Sequence, residues 1–254
     1  MKISVRTDYV FGRESIPDQI RFAKEAGADA IEYGEMLGYD CALAADTAER
    51  LDIPFAACGF YDMWNCRLGD DFGRIQANLL KTVECAKILG CRFLLGLTVD
   101  SLKREEGQKA RFVENMKPVA DLLEKNDLVV LIEPHNTILP NPLYDFSHYF
   151  VNSCALGAEL IQRIGSTSVR LLVDVYHEQI ATGNLFTTIQ NNFPVISHYH
   201  FSGVPGRDEP MHGEVQYQNL ARKISDLGYD GYFGLEYFPS CDAKKSLTDA
   251  IRET

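Results

Sequence analysis

Along the chain one phrase recurs: apolar residues at helical spacing, then a glycine, then a short run of consecutive apolar residues. AKEAGADAIEY carries the joint at Gly27, AKILGCRFLLGL at Gly90, IQRIGSTSVRLLVDV at Gly165 and ISDLGYDGYFGLEY at Gly228. Glycine just past a helix takes the left-handed conformation without steric cost, so each joint predicts a helix end followed by a strand. The predicted strands are KISVRT, ADAIEY, PFAACGF, RFLLGLT, LVVLIEP, VRLLVDV, ISHYHF and YFGLEY, with helical patterns between successive members. Parallel neighbours need helical crossovers, and an eight-strand ring leaves no edge. The pattern therefore predicts an α/β fold, a (β/α)8 barrel made by residues 1–254 as a single domain. An open doubly wound sheet is the alternative, but no GxGxxG follows the first strand, and no linker, charge block or low-complexity tract divides the chain. The segment NTILPNPLYDFSHYF after the fifth strand is longer and richer in proline and aromatics than the other loops, and is expected to cover a site.

Polar residues interrupt this pattern in one systematic place. In LLVDVYHEQI, residues 171–180, Asp174 sits inside a run apolar enough to be buried on both faces, where an ionised carboxylate is costly unless paired. In a (β/α)8 barrel the reacting groups stand at the carboxyl ends of the strands. Strand five ends with Glu133, strand six with Asp174, strand seven with His200 and strand eight with Glu236. Three carboxylates meeting at one rim repel one another unless a dication neutralises them. Three oxygen ligands and one nitrogen suit Mn2+, Mg2+ or Co2+ better than a structural zinc. His198 shares a face with His200 by the period of two, so the sequence leaves the choice between them open; His200 lies nearer the strand end, and His198 is expected as a hydrogen-bonded core residue. His135, His148 and His212 fall in loops and are expected to be solvated.

Composition narrows the partners. The 254 residues are 46% hydrophobic and 24% charged, and no apolar run approaches the ~20 residues of a membrane span. A formal net charge of -11 with no basic stripe to offset it argues against a nucleic-acid backbone as partner. Seven cysteines without a CxxC pair read as reduced thiols, and MKISVRTDYVFG lacks the features of a secretory signal, so a cytoplasmic protein is expected. The expected partner is a small-molecule carbohydrate or hydroxy-oxo compound, with no membrane and with a homo-oligomer left open.

The runs VDVYHEQIATGNL, ISHYHFSGVPGRDEPMHGEVQY and GYDGYFGLEYFP, with LIEPHN upstream, resemble the C-terminal half of the hydroxypyruvate isomerase-like enzymes within the xylose isomerase-like TIM-barrel superfamily. The first half is similar only through its repeat pattern. The resemblance implies one divalent metal ion held by Glu133, Asp174, His200 and Glu236. Glutamine is common in the hydroxypyruvate isomerase-like pattern at the position of His200, whereas histidine there is similar to the ketose 3-epimerase branch. Phe238 stands where lysine or arginine is usual, which removes a charge-assisted contact for a substrate carboxylate. CGFYDMWNCRLGDDFG also does not reproduce the family's glycine- and arginine-rich loop. A neutral polyol ketone or aldehyde is then expected rather than hydroxypyruvate, with Trp64, Tyr61, Tyr237 and Phe238 as candidate walls. Against the epimerase branch, a second glutamate is replaced by Leu139, while its substrate-binding histidine matches His177 and its arginine has a near match in Arg207.

The resemblance implies a metal-dependent isomerase or 3-epimerase working through an enediolate. Glu133 and Glu236 would remove and return a proton from opposite sides, and His177 and Arg207 would hold substrate oxygens. Glu214 would orient Arg207 or close the loop, or else lie as a solvated charge. The superfamily also contains inosose dehydratases and C-glycoside deglycosidases, which leaves elimination on a keto sugar open. A non-catalytic metal-binding barrel acting as a subunit partner is the reading from another class. An apurinic endonuclease of the same fold would want a histidine-rich multinuclear site and a basic groove.

Overall fold

The computed structural model describes residues 1–101, 103–140 and 144–254. Strands β1 (Lys2–Arg6), β2 (Ala30–Tyr33), β3 (Phe55–Gly59), β4 (Phe93–Gly96), β5 (Val129–Ile132), β6 (Val169–Asp174), β7 (Ile196–Phe201) and β8 (Tyr232–Leu235) close into one parallel barrel in chain order. The helices among the described residues are α1 (Thr7–Phe11), α2 (Ile16–Ala26), α3 (Cys41–Arg50), α4 (Phe72–Leu89), α5 (Glu106–Glu124), α6 (Cys154–Ile164), α7 (Val175–Ala181), α8 (Leu185–Asn192), α9 (Tyr217–Asp226) and α10 (Ala243–Glu253). The glycine joints behave as the sequence predicts: Gly27, Gly90 and Gly165 have φ of +97°, +66° and +75°, and each closes its helix by donating to carbonyls of the last turn.

Strand periodicity divides the core in two. Outward-facing residues such as Leu171, Val173, Tyr199 and Phe201 pack under the helices, where Tyr199 and Phe201 meet Phe233 at ring separations of 5.7 and 5.0 Å. Ala57, Leu95, Val129, Leu131 and Leu172 form a separate apolar cluster on the other face. By the same alternation Asp174 lies on the face of Leu172, and His198 and His200 lie on one face of β7. The register carries the polar end around the barrel, pairing Asp174 with His200 and His200 with Gly234. A side chain at Gly234 would collide with Glu32 and with the His200 ring, each 2.6 Å from where its Cβ would stand. This glycine lets two polar side chains share the barrel interior.

Two boundaries differ from the sequence expectation. Regular pairing stops at Ile132 in β5 and at Leu235 in β8, so Glu133 and Glu236 stand one residue beyond the strands. The segment after β5 lies partly outside the described residues, at 141–143. Its remainder brings Tyr144, Phe146 and Tyr149 against His135 or against one another. None of the helices of the described residues is long and apolar enough to cross a membrane.

Candidate active site

At the carboxyl end of the barrel, Glu133, Asp174, His200 and Glu236 each offer one ligand atom, and these atoms all lie within 4.8 Å of one another. All four side chains are buried. Asp174 ends β6 and begins α7 in one step: its Oδ1 accepts the Tyr176 N–H at 2.9 Å, which caps the helix, while its Oδ2 faces the cluster. His200 is aimed from behind. Its Nε2 meets Glu32 Oε2 at 2.9 Å, and Nδ1 lies 3.4 Å from Glu236 Oε2 without a hydrogen-bond partner among the described residues. With the proton on Nε2, where Glu32 accepts it, Nδ1 presents a lone pair to the cluster. Glu133 Oε1 is likewise buried and without a hydrogen bond among the described residues.

Glu32, from β2, accepts from His198 Nε2 at 2.8 Å and from Ser4 as well as contacting His200. His198 thus takes the core position expected of it. Burial opposes ionisation of Glu32, but the two imidazoles outweigh it and hold the carboxyl well below its usual range.

Two cations neutralise the cluster from the protein itself. Arg207 Nη1 lies 2.6 Å from Asp174 Oδ2, and its Nη2 donates to Glu236. Its backbone is left-handed, with φ +58°, uncommon for a non-glycine residue. The Phe238 N–H, donating to the Arg207 carbonyl at 2.9 Å, ties this loop to the end of β8. Arg6, the last residue of β1, donates to Glu236 and makes a two-bond pair with Asp8 at 2.9 and 3.0 Å. Burial works against the charge on Glu236, yet Arg6, His200 and Arg207 hold its carboxyl far below the ordinary range. Glu133 goes the other way, pushed up to about 8 by burial and by the charges of Glu236 and Asp174. Burial would lower His200, but Glu236 and Glu32 raise it well above the usual imidazole value. Protons and a dication therefore compete for the same atoms.

His177 lies beside the cluster. Its Nδ1 accepts from the Asn136 backbone N–H at 3.1 Å, which places the ring proton on Nε2. That nitrogen is buried, 3.8 Å from Asp174 Oδ2, and makes no hydrogen bond among the described residues. His135, expected in solvent, is instead buried: it packs against Phe146, Tyr149 and His177 at ring separations of 4.2, 4.6 and 4.3 Å, because the segment after β5 folds back over it. Burial first, then Arg207 and Arg67, pull its pKa down to about 3. The folded chain then refuses a proton that the unfolded chain takes up, so this group's contribution to stability is lost as pH falls from about 6.5 towards about 3. Replacing His135 by glutamine is expected to flatten the acid limb of melting temperature against pH; an unchanged slope would rule out this histidine as its source.

Other expected positions are redistributed. Glu214 does not meet Arg207; it is exposed and accepts from Gln179 Nε2 at 3.0 Å, since the loop turns Arg207 inward to the carboxylates. Tyr237 is no wall of the site, being fully buried with its hydroxyl on Ser246 of α10. Phe238 stacks on Tyr9 at 5.0 Å, Tyr61 lies under Lys81, and Trp64 is 41% exposed with its ring 5.4 Å from Tyr144. Arg6, Glu32 and Asn136 are the site residues the sequence reading passed over, although Arg6 and Glu32 lie at or next to the ends of predicted strands.

Fold and cluster together define a (β/α)8 barrel with a buried carboxylate and imidazole centre at the carboxyl end of its sheet. Residues 20–253 match the family described as xylose isomerase-like TIM barrel. A putative hydroxypyruvate isomerase from Homo sapiens is 30% identical over 263 residues, which cover 98% of this chain and 93% of that protein. The chain belongs to the xylose isomerase-like TIM-barrel family. The hydroxypyruvate isomerase of Escherichia coli is 30% identical over 138 residues, covering 54% of this chain and 51% of the relative. Among solved structures, AP endonuclease, family 2 from Brucella melitensis superposes with a TM-score of 0.88 at 24% identity, covering 97% of this chain and 96% of that one. A D-psicose 3-epimerase crystallised in the presence of D-fructose gives 0.80 at 18% identity, covering 99% and 97%. At these identities the structural likeness speaks for the fold alone.

Proposed function

We propose that the protein is a divalent-cation-dependent isomerase or epimerase of small hydroxy-oxo compounds, acting by proton transfer beside a carbonyl. The observation that carries this reading is the meeting of Glu133, Asp174, His200 and Glu236 within 4.8 Å, with Glu133 Oε1 and His200 Nδ1 buried and making no hydrogen bond among the described residues. This donor set fits a hard or borderline dication such as Mn2+, Mg2+ or Co2+. The names of the isomerase relatives support the reaction class.

When bound, the cation supplies Lewis-acid stabilisation of negative charge developing on the substrate oxygens. Glu133 and Glu236 stand beyond β5 and β8, with two strands between them, so two carboxylates border one substrate. One removes the proton next to the carbonyl and the other returns a proton. Return to the neighbouring carbon is isomerisation; return to the opposite face of the same carbon is epimerisation. His177, whose Nε2–H is directed beside Asp174, donates to a substrate oxygen. Arg207 supplies positive charge to a developing oxyanion, and burial around all these groups keeps water from competing.

Chelation is expected to abolish exchange of deuterium from D2O into hydroxypyruvate, dihydroxyacetone, tetroses or ketopentoses, and Mn2+ or Co2+ to restore it. Absence of exchange into every one of these compounds by the Mn2+-loaded protein would overturn the reading.

A further inference from the structure

Asp208, Glu209 and His212 take no part in the cluster at the barrel mouth. They lie on the loop between β7 and α9, directly after Arg207. One turn of 3-10 helix, Pro210–His212, folds the histidine back over the two acids, with the His212 N–H donating to the Glu209 carbonyl at 3.0 Å. Each side chain then offers one ligand atom, and these atoms all lie within 4.8 Å of one another. His212 Nδ1 is 3.3 Å from Glu209 Oε2 and 3.8 Å from Asp208 Oδ2. Bonds of about 2.0–2.2 Å to one cation place its ligand atoms roughly 3–3.5 Å apart. The imidazole therefore already stands close to ligand spacing from both acids.

Glu209 gives the independent sign that something is bound here. Its side chain is only 1% exposed, and its Oε1 accepts from the Ser240 N–H at 3.0 Å and from the Ser246 hydroxyl at 2.5 Å. Its Oε2, directed at His212, is buried as well and makes no hydrogen bond among the described residues. Burial works against the charge, yet the hydrogen bonds from Ser246 and Ser240 hold the carboxyl below its ordinary range. A buried, ionised oxygen without a partner is costly, and a second carboxylate beside it adds repulsion. Room is kept for that second carboxylate: a Cβ at Gly203 would stand 2.2 Å from Asp208 Oδ1, and one at Gly206 3.1 Å from it.

We propose that Asp208, Glu209 and His212 bind a second divalent cation, of the Zn2+ or Co2+ kind, with water completing its shell. Two carboxylate oxygens and one imidazole nitrogen suit such an ion. Asp208 is partly exposed and His212 is exposed, so the ion enters from solvent and meets Glu209 from above. The role is structural. Glu209 is tied through Ser240 and Ser246 to the loop after β8 and to α10, and Asp208 follows Arg207. A cation held there braces the loop that sets Arg207 against Asp174 and Glu236.

Modification of histidines by diethyl pyrocarbonate, read by peptide mass spectrometry on wild type, tests the site without any substitution. His148 is exposed and serves as the internal control, whereas His135, His177, His198 and His200 are buried. With Zn2+ ~10-fold above its dissociation constant, the free fraction of the site and with it the rate at His212 should fall ~10-fold, while the rate at His148 stays unchanged. Equal rates at His212 with and without Zn2+ overturn the proposal. Equilibrium dialysis counts the ions: His212→Ala and Asp208→Asn should each bind one Zn2+ per chain fewer than wild type. A fall from two to one leaves the barrel-mouth cluster as a cation site. A fall from one to none supports the new site and removes that cluster's cation alone. An undiminished count in both variants overturns the proposal, and should either fail to fold, protection of His212 in wild type decides.

Discussion

Replacement of Glu236 by glutamine is expected to lower turnover by ~10²–10⁴-fold, the range in which a positioned acid or base contributes, while the protein still folds. Glu236 is where the charges of the site meet: Arg6, Arg207 and His200 all face its carboxylate. An amide of the same shape neither takes a proton nor balances those cations. Each arginine nevertheless keeps a second acid, Arg6 with Asp8 and Arg207 with Asp174. Neither of these two guanidinium groups is left without an acid, so the loss should fall on catalysis far more than on stability. The measurement is kcat with the best exchanging substrate beside a thermal melt. Full turnover in Glu236→Gln would end the assignment of this carboxylate to proton transfer, and a collapsed melt with residual activity would assign it a structural role instead.

The clustered residues were legible because a barrel rim converts a sequence rule into a place. A polar residue at the end of an apolar strand has nowhere to go but the carboxyl end of the sheet, and four such residues in succession were bound to be neighbours. The same rule, applied to β1 and β2, would have found Arg6 and Glu32. Period two would also have separated Tyr237 from Glu236, since adjacent residues at a strand end leave on opposite sides. What no local pattern held was the fate of loops. His135 reads as a loop residue, yet Phe146 and Tyr149 arrive from further along the chain to bury it. Arg207 and Glu214 are close in sequence and part company because the first turns left-handed towards Asp174 and the second reaches Gln179.

Glu32 carries the second large expected effect. It touches none of the groups proposed to handle protons, yet it fixes both the direction and the tautomer of His200, as an acceptor behind a ligating imidazole does. Removing such a partner commonly weakens metal binding by ~10–100-fold, and Glu32→Ala is expected to weaken Mn2+ binding by that factor, read directly by electron paramagnetic resonance of the free ion. Stability should fall as well. The carboxylate sits fully buried between His198, His200 and Ser4, and breaking a buried charge network by taking out one partner typically costs about 3–5 kcal/mol. Glu32→Gln separates the two effects. The glutamine fills the space and its single carbonyl oxygen serves one imidazole, while its amide group can only donate, so the fold recovers more than the tautomer of His200 does. A Glu32→Gln protein that melts near the wild type but binds Mn2+ less tightly would support a role for Glu32 through His200; undiminished Mn2+ affinity in both variants would reduce Glu32 to a packing residue of the barrel interior.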